Sequence, residues 1–177
     1  MLTRSRPKKR YSRVRLAVLA VLFVVLLLST ITVWYVNVVR ADEEILEADA
    51  IEASRSAVSW SSVDSVDKSI WDDVYYVVTG TDDAGVTQMA WVDGETKQVI
   101  VTAASDGVTK ADIRQNIKQQ YPEAEIVRLV PGIKDEELVW QAFVHRKDET
   151  GNYRYYYHFY HFSDGTPTGD IYSMPNK

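Results

Sequence analysis

Apolar and polar positions divide the chain into stretches with different periods. From Leu16 to Val39, 24 residues pass without a charge, beginning LAVLAVLFVVLLLSTITVWYV. At about 1.5 Å rise per residue a helix of that length reaches about 36 Å, enough for a hydrocarbon layer of about 30 Å with some tilt. From Asp42 to about Val58 the pattern changes. Leu46, Ala50, Ala53 and Ala57 recur at intervals of three and four among six acids between Asp42 and Glu52, which predicts a helix with a thin apolar stripe.

Beyond Val58 the period shortens to that of strands. Runs at Val63 to Ile70, Val74 to Thr81, Val86 to Val92 and Gln98 to Thr102 are strand-like, the first weakly so, because SSVDSVDKS reads equally as a loop or an edge strand. Asp82-Asp83-Ala84-Gly85 and Asp93-Gly94 supply turn chemistry between them. Thr109-Lys110-Ala111-Asp112 then resembles a capping box, Ile113, Ile117 and Tyr121 follow at helical spacing, and Pro122 stops the helix. Strand patterns return at Glu125 to Val130, Leu138 to His145, Tyr153 to Phe162 and Thr168 to Met174, separated by Pro131-Gly132, Gly151-Asn152 and Asp164-Gly165.

One helix followed by a four-stranded antiparallel meander thus occurs twice. The predicted class is α+β: an N-terminal transmembrane helix, then two tandem units of one helix and a four-stranded antiparallel sheet each. The predicted divisions are residues 1–15, 16–39, 40–104 and 105–177, with the boundary between the units near Ala103 to Val108.

Charge sets the expected topology. Seven cations fall between Arg4 and Arg15 (Arg4, Arg6, Lys8, Lys9, Arg10, Arg13, Arg15), without an acid. The remainder holds 13 basic against 25 acidic residues, a net charge of −12, which argues against a nucleic-acid-binding body. The basic arm places the N-terminus in the cytoplasm and the body outside it. Arg13, Arg15 and Arg40 flank the span, and Trp34 and Tyr35 fall near its outer end, where amphipathic rings prefer the headgroup layer. The span exceeds the usual apolar region of a signal peptide, so an uncleaved anchor is expected in the cell membrane. There is no cysteine, which excludes disulfides, a thiol nucleophile and Cys-based metal sites.

Candidate chemistry is sparse. His158 and His161 differ by an odd number on a strand and leave it on opposite faces, so with His145 they make a poor metal site. The acid pairs Asp72-Asp73, Asp82-Asp83 and Glu136-Glu137 sit in predicted turns, where adjacent acids are ordinarily solvated. No nucleophile elbow, HExxH motif, P-loop or dinucleotide fingerprint is present. No catalytic residue, metal or cofactor is expected. The unusual stretch is YRYYYHFYHF. Alternation sends Tyr153, Tyr155, Tyr157, Phe159 and His161 to one face and Arg154, Tyr156, His158, Tyr160 and Phe162 to the other. One aromatic face is expected under the unit's own helix. The other either meets the first unit or forms a platform for a partner, so Tyr155, Tyr156, Tyr157, His158, Phe159, Tyr160 and His161 are the candidate partner-binding residues. Trp71, Trp91 and Trp140 read as packing residues.

The basic arm, the span, the acidic helix and VYYVVTGTDDAGVTQMAWV together resemble the YpmB/TseB-like family of cell wall elongation regulators, with PepSY-like (cystatin-like) repeats. Tyr75, Tyr76, Val77, Val78, Gly80, Thr81, Asp82, Gly85, Trp91 and Val92 are the most specific part. The resemblance implies a single-pass membrane protein without catalytic residues. Its outer repeats would bind an elongation-type penicillin-binding protein, or another cell wall synthesis protein, and so modulate peptidoglycan synthesis. PepSY-like repeats also imply an alternative, inhibition or chaperoning of an extracellular peptidase. In that pattern a Thr-Gly marks the last hairpin; here Thr96 is followed by Lys97, and Thr168 by Gly169.

Overall fold

The computed structural model describes residues 10–175, with the side chains of 10–14 and 38–42 outside the description. The cations from Arg4 to Lys9 therefore lie outside the described residues, as do the side chains of Arg13 and Arg40. The chain divides into two compact units, Met1–Leu46 and Glu47–Lys177. Helix α1 (Arg10–Ser54) begins in the first and ends in the second; its part in the first contains a stretch, Arg15–Asn37, long and apolar enough to cross a membrane. Its apolar side chains are exposed from Leu16 to Val36, with Trp34 and Tyr35 among them, a larger apolar surface than water-soluble monomers ordinarily present. The predicted acidic helix is the last part of α1. It ends at Ser54, where the Ser54 hydroxyl donates to the Ile51 carbonyl at 2.6 Å and the Ser56 hydroxyl to that of Ala53 at 2.7 Å, local bonds that compete with continuation.

The second unit holds two four-stranded antiparallel sheets. β1 (Trp60–Ile70), β2 (Val74–Asp82), β3 (Thr87–Asp93) and β4 (Val99–Ala103) pair in chain order. A short 3-10 turn (Ala104–Asp106) leads to helix α2 (Lys110–Gln120), and β5 (Glu125–Lys134), β6 (Glu137–Lys147), β7 (Tyr153–His161) and β8 (Pro167–Ser173) again pair in order. This is the α+β class with two sheets and an N-terminal helix. α2 starts on a true capping box: the Asp112 N–H donates to the Thr109 hydroxyl oxygen and the Thr109 N–H to the Asp112 carboxylate. The Thr109 hydroxyl, donating to the Asp112 carboxylate at 2.6 Å, and then the Thr109 N–H hold Asp112 below the usual carboxylate range.

Two strand boundaries differ from the pattern. The polar stretch before Val63 is strand from Trp60 onward, and its two irregularities of register suit an edge. β5 does not end at Pro131 but runs through Pro131-Gly132, and the chain reverses at Asp135 and Glu136 with φ of 50° and 66°, the left-handed geometry of a two-residue hairpin. Proline is tolerated there because β5 is the first strand of its sheet and pairs on one side only.

The two sheets repeat each other's turns. Between β2 and β3, Asp82 Oδ1 accepts the N–H groups of Ala84 and Val86 at 2.9 Å each, and Gly85 adopts φ 79°. Between β6 and β7, Asp148 Oδ1 accepts those of Thr150 and Asn152 at 2.9 Å each, and Gly151 adopts φ 84°. Before β4 and in β8 the residue after a threonine takes positive φ: Lys97 at 60° and Gly169 at 92°. In both, the threonine hydroxyl oxygen accepts an N–H two residues on at 3.4 Å.

Alternation divides the core. Tyr76, Val78, Ala90 and Val92 face the end of α1, packing on Ala50, Val58 and Trp60, where the Trp60 indole donates to the Ser54 hydroxyl oxygen at 2.7 Å. Val77, Met89 and Trp91 leave the opposite face and join one cluster with Ile113 and Ile117 of α2 and the inner face of the second sheet, including Trp140, Tyr156, Tyr160 and Phe162. Both sheets therefore share a core. The Phe162 ring stands edge-on to Trp91 at 5.2 Å, against Gly107, where a Cβ would come within 2.3 Å of it.

Candidate functional site: an aromatic sheet face

Register explains how one face of the second sheet becomes aromatic. β6 and β7 pair His145 with Tyr155, Phe143 with Tyr157 and Gln141 with Phe159, and β8 sets Tyr172 opposite Tyr157. Cross-strand partners share a face, so these rings lie together on the side away from α2. His145 stacks on Tyr155 at 4.4 Å, Tyr155 on Phe143 at 5.3 Å, and Phe143 meets Tyr157 at 4.7 Å. Tyr153 extends the row, 5.2 Å from His145.

The first sheet covers the far end of this row. Trp71, in the turn after β1, lies 5.3 Å from Tyr157 and 4.8 Å from both Phe159 and Tyr172. Phe159 is buried as a result, whereas Tyr153 and Tyr155 remain 50% and 45% exposed and Tyr172 42%. Below Trp71, the Lys134 ammonium lies 5.7 Å from the Phe159 centroid and pairs with Asp135 and with Asp170 at 2.9 Å. Bonds to those two carboxylates push its pKa up. Beside Trp71, Ser69 and Gln141 are buried. The Ser69 hydroxyl donates to the Gln141 side-chain oxygen at 3.1 Å, and the Gln141 amide donates to the Ile70 carbonyl at 3.1 Å. Arg128 also donates to the Lys68 carbonyl, so β1 and β5 are bound side by side.

The seven candidate residues of β7 therefore separate. Tyr155 and Tyr157 lie on the open face, and Phe159 lies on it beneath Trp71. His161 is partly exposed and pairs with Glu137 at 3.2 Å. Tyr156, His158 and Tyr160 are corrected: they are buried on the inner face and cannot meet a partner there, because α2 occupies that side. Arg146 donates to His158 Nε2 at 3.1 Å and lies over the rings of Tyr156 and Tyr121, at 3.9 and 4.2 Å. Burial and the Arg146 charge push the His158 pKa down to about 4. Burial likewise pushes Tyr160 up to about 12. The sequence pattern missed Phe143, His145 and Tyr172 as part of the row and read Trp71 only as packing. Parity across the β6–β7 hairpin carries the first two, but nothing local announces that Trp71 reaches the second sheet.

The turn acids have structural roles. Asp82, Asp93, Asp148 and Asp164 are held below the usual range chiefly by hydrogen bonds from their own turns. Among the described residues, no three His, Asp or Glu side chains gather as metal ligands would. The arrangement offers ring faces for contact.

The comparisons with known proteins fall on this architecture. The model of the cell wall elongation regulator TseB-like domain matches residues 49–93, from the end of α1 through β3. A solved structure of the YpmB protein from Bacillus subtilis is similar in fold, with a TM-score of 0.61 and 20% identity, covering 72% of this chain and 96% of that one. The family match thus lies on the end of α1 and the first three strands, and the likeness to YpmB is one of fold. The matched segment contains the Tyr75 to Val92 signature, and the structural likeness is wider, over 72% of the chain. No curated protein matches the chain significantly.

Proposed function

We propose that this chain is a membrane-anchored regulator of cell wall elongation that acts by binding an elongation-type penicillin-binding protein, without a reaction of its own. The family supports a regulatory role in wall elongation. Arg15–Asn37 is the proposed anchor, flanked by Arg13, Arg15, Trp34, Tyr35 and Arg40, with the N-terminus cytoplasmic and the body outside. The body is read as two repeats meeting near residue 104, a division supported by the matched Asp-x-x-Gly turns.

The observation that carries the reading is the open part of the aromatic row, Tyr153, Tyr155, Phe143, His145, Tyr157 and Tyr172, rimmed by Trp71. Tyrosine and tryptophan faces are the side chains that dominate protein interfaces. The proposed contact surface is thus composite, because Trp71 comes from the first sheet. A photo-crosslinking residue at Tyr155 in living cells tests this. A penicillin-binding protein is expected among the adducts, and a crosslinker at buried Tyr156 is expected to give none. Failure at Tyr155 to trap any wall synthase, while a control pair is trapped, overturns the reading.

A further inference from the structure

Four strands end the two sheets. β1 and β5 pack against each other, through Arg128 on the Lys68 carbonyl and Gly132 beside Ser69, which leaves β4 and β8 as the open edges among the described residues. β8 carries the devices that keep natural edges from pairing: Pro167 at its start, Gly169 at φ 92°, a shift of register, and the charge of Asp170, which pairs with Lys134. β4, VIVTA, has no proline, charge or register shift, and Ile100 and Val101 are 48% and 37% exposed. Its unpaired main-chain groups form an unguarded template.

Two clefts flank that edge, one on each face. Val101 pairs with Ala90, so it lies on the side of the α1 end, and Thr102 pairs with Met89, so it lies on the side of the second sheet. Val101 lines a cleft of about 320 Å³ with Asp82 and Asp83. Thr102 lines one of about 420 Å³ with Asp106 and Glu137. Among the described residues no lysine or arginine lines either cleft, and the second also holds His161, paired with Glu137. A strand added to a sheet edge sends successive side chains to opposite faces, and it gains affinity from main-chain bonds and specificity from the pockets those side chains enter.

We propose that the edge of β4 is a strand-addition site for an extended, basic segment of a protein partner, whose neighbouring lysine or arginine side chains enter the two acidic clefts. The inference rests on the reading that the body works by binding, but on a surface separate from the aromatic row. A like-charged segment would be repelled by both clefts, so the site selects by charge.

The test uses the full-length chain in detergent micelles and a fluorescent octapeptide, Val-Thr-Val-Lys-Lys-Val-Thr-Val, with a Glu-Glu counterpart, read by anisotropy. The Lys peptide is expected to bind saturably, and the Glu peptide at least about tenfold more weakly. Asp83→Asn with Asp106→Asn, two exposed changes, is expected to weaken the Lys peptide about five- to tenfold. Val101→Lys, which places a gatekeeper charge on the edge, is expected to abolish binding while circular dichroism is unchanged. Tyr155→Ala should leave peptide affinity unaltered and reduce crosslinking to the wall synthase, so the two surfaces fail independently. Absence of saturable binding, equal binding of the two peptides, or full affinity in the Asn double variant overturns the proposal. So does a dimer in sedimentation that Val101→Lys dissolves, which would assign the edge to a second copy of this chain.

Discussion

A methyl group at position 132 probes the joint between the two sheets. A Cβ on Gly132 would come within 2.2 Å of Ser69 Oγ and 2.8 Å of Ser69 Cβ. Turning the hydroxyl away relieves the first contact, leaves the second, and breaks the bond from Ser69 to Gln141. Overpacking of this kind costs about 1–3 kcal/mol, and a buried side-chain oxygen left without its donor adds about 1–3 kcal/mol. Gly132→Ala should therefore lose about 2–6 kcal/mol, offset by about 0.5 kcal/mol of unfolded-chain entropy. Ser69→Gly removes both clashing atoms. It destabilises by itself, but in the double variant the alanine methyl has room. Urea unfolding of the four proteins, followed by tryptophan fluorescence, should give a coupling of about 1–3 kcal/mol in favour of the double variant. If the two changes add within about 0.5 kcal/mol, the strands do not approach as described and the shared joint is refuted.

Three further expectations concern single residues. Thr109→Ala removes the side chain that closes the capping box of α2 and should cost about 1 kcal/mol in urea unfolding. Lys97→Gly relieves a left-handed non-glycine residue and should stabilise by up to about 1 kcal/mol, raising the melting temperature. His158 accepts a bond from Arg146 and titrates near 4 in the fold, against 6.5 unfolded. The unfolded chain therefore binds the extra proton between those values. Stability is full above pH 6.5 and falls as pH drops toward 4, by at most about 3 kcal/mol. His158→Gln should flatten that part of the pH profile in equilibrium unfolding; an unchanged slope would assign it to other groups.

Local chemistry was legible where local groups determine the outcome. Thr109 to Asp112 announced a helix start because the two residues satisfy each other's N–H groups. The paired Asp and Gly of the hairpins announced turns because the carboxylate and the left-handed glycine do the folding themselves. Pro131-Gly132 misled for the opposite reason: both usually interrupt strands, yet an edge strand spares the proline its bond, and the adjacent sheet needs the glycine's bare backbone beside Ser69. The two faces of β7 followed from parity. Which of them remained open did not, because α2 covers one and Trp71, more than 80 positions before Phe159, covers half of the other. The open edge of β4 was equally invisible, since pairing order belongs to the whole fold.

The repeated turns carry a hazard as well as a plan. A chain with two hairpins bent by the same carboxylate and glycine geometry offers each strand two stations of nearly equal shape during folding, and exchange between duplicated halves is a familiar route to misassembly. Here the strands that enter those turns differ: VYYVVTG beside β1, and ELVWQAFVH beside an aromatic neighbour. The turns keep the grammar constant while the strands act as addresses, so that a hairpin delivered to the wrong half would find side chains it cannot pack.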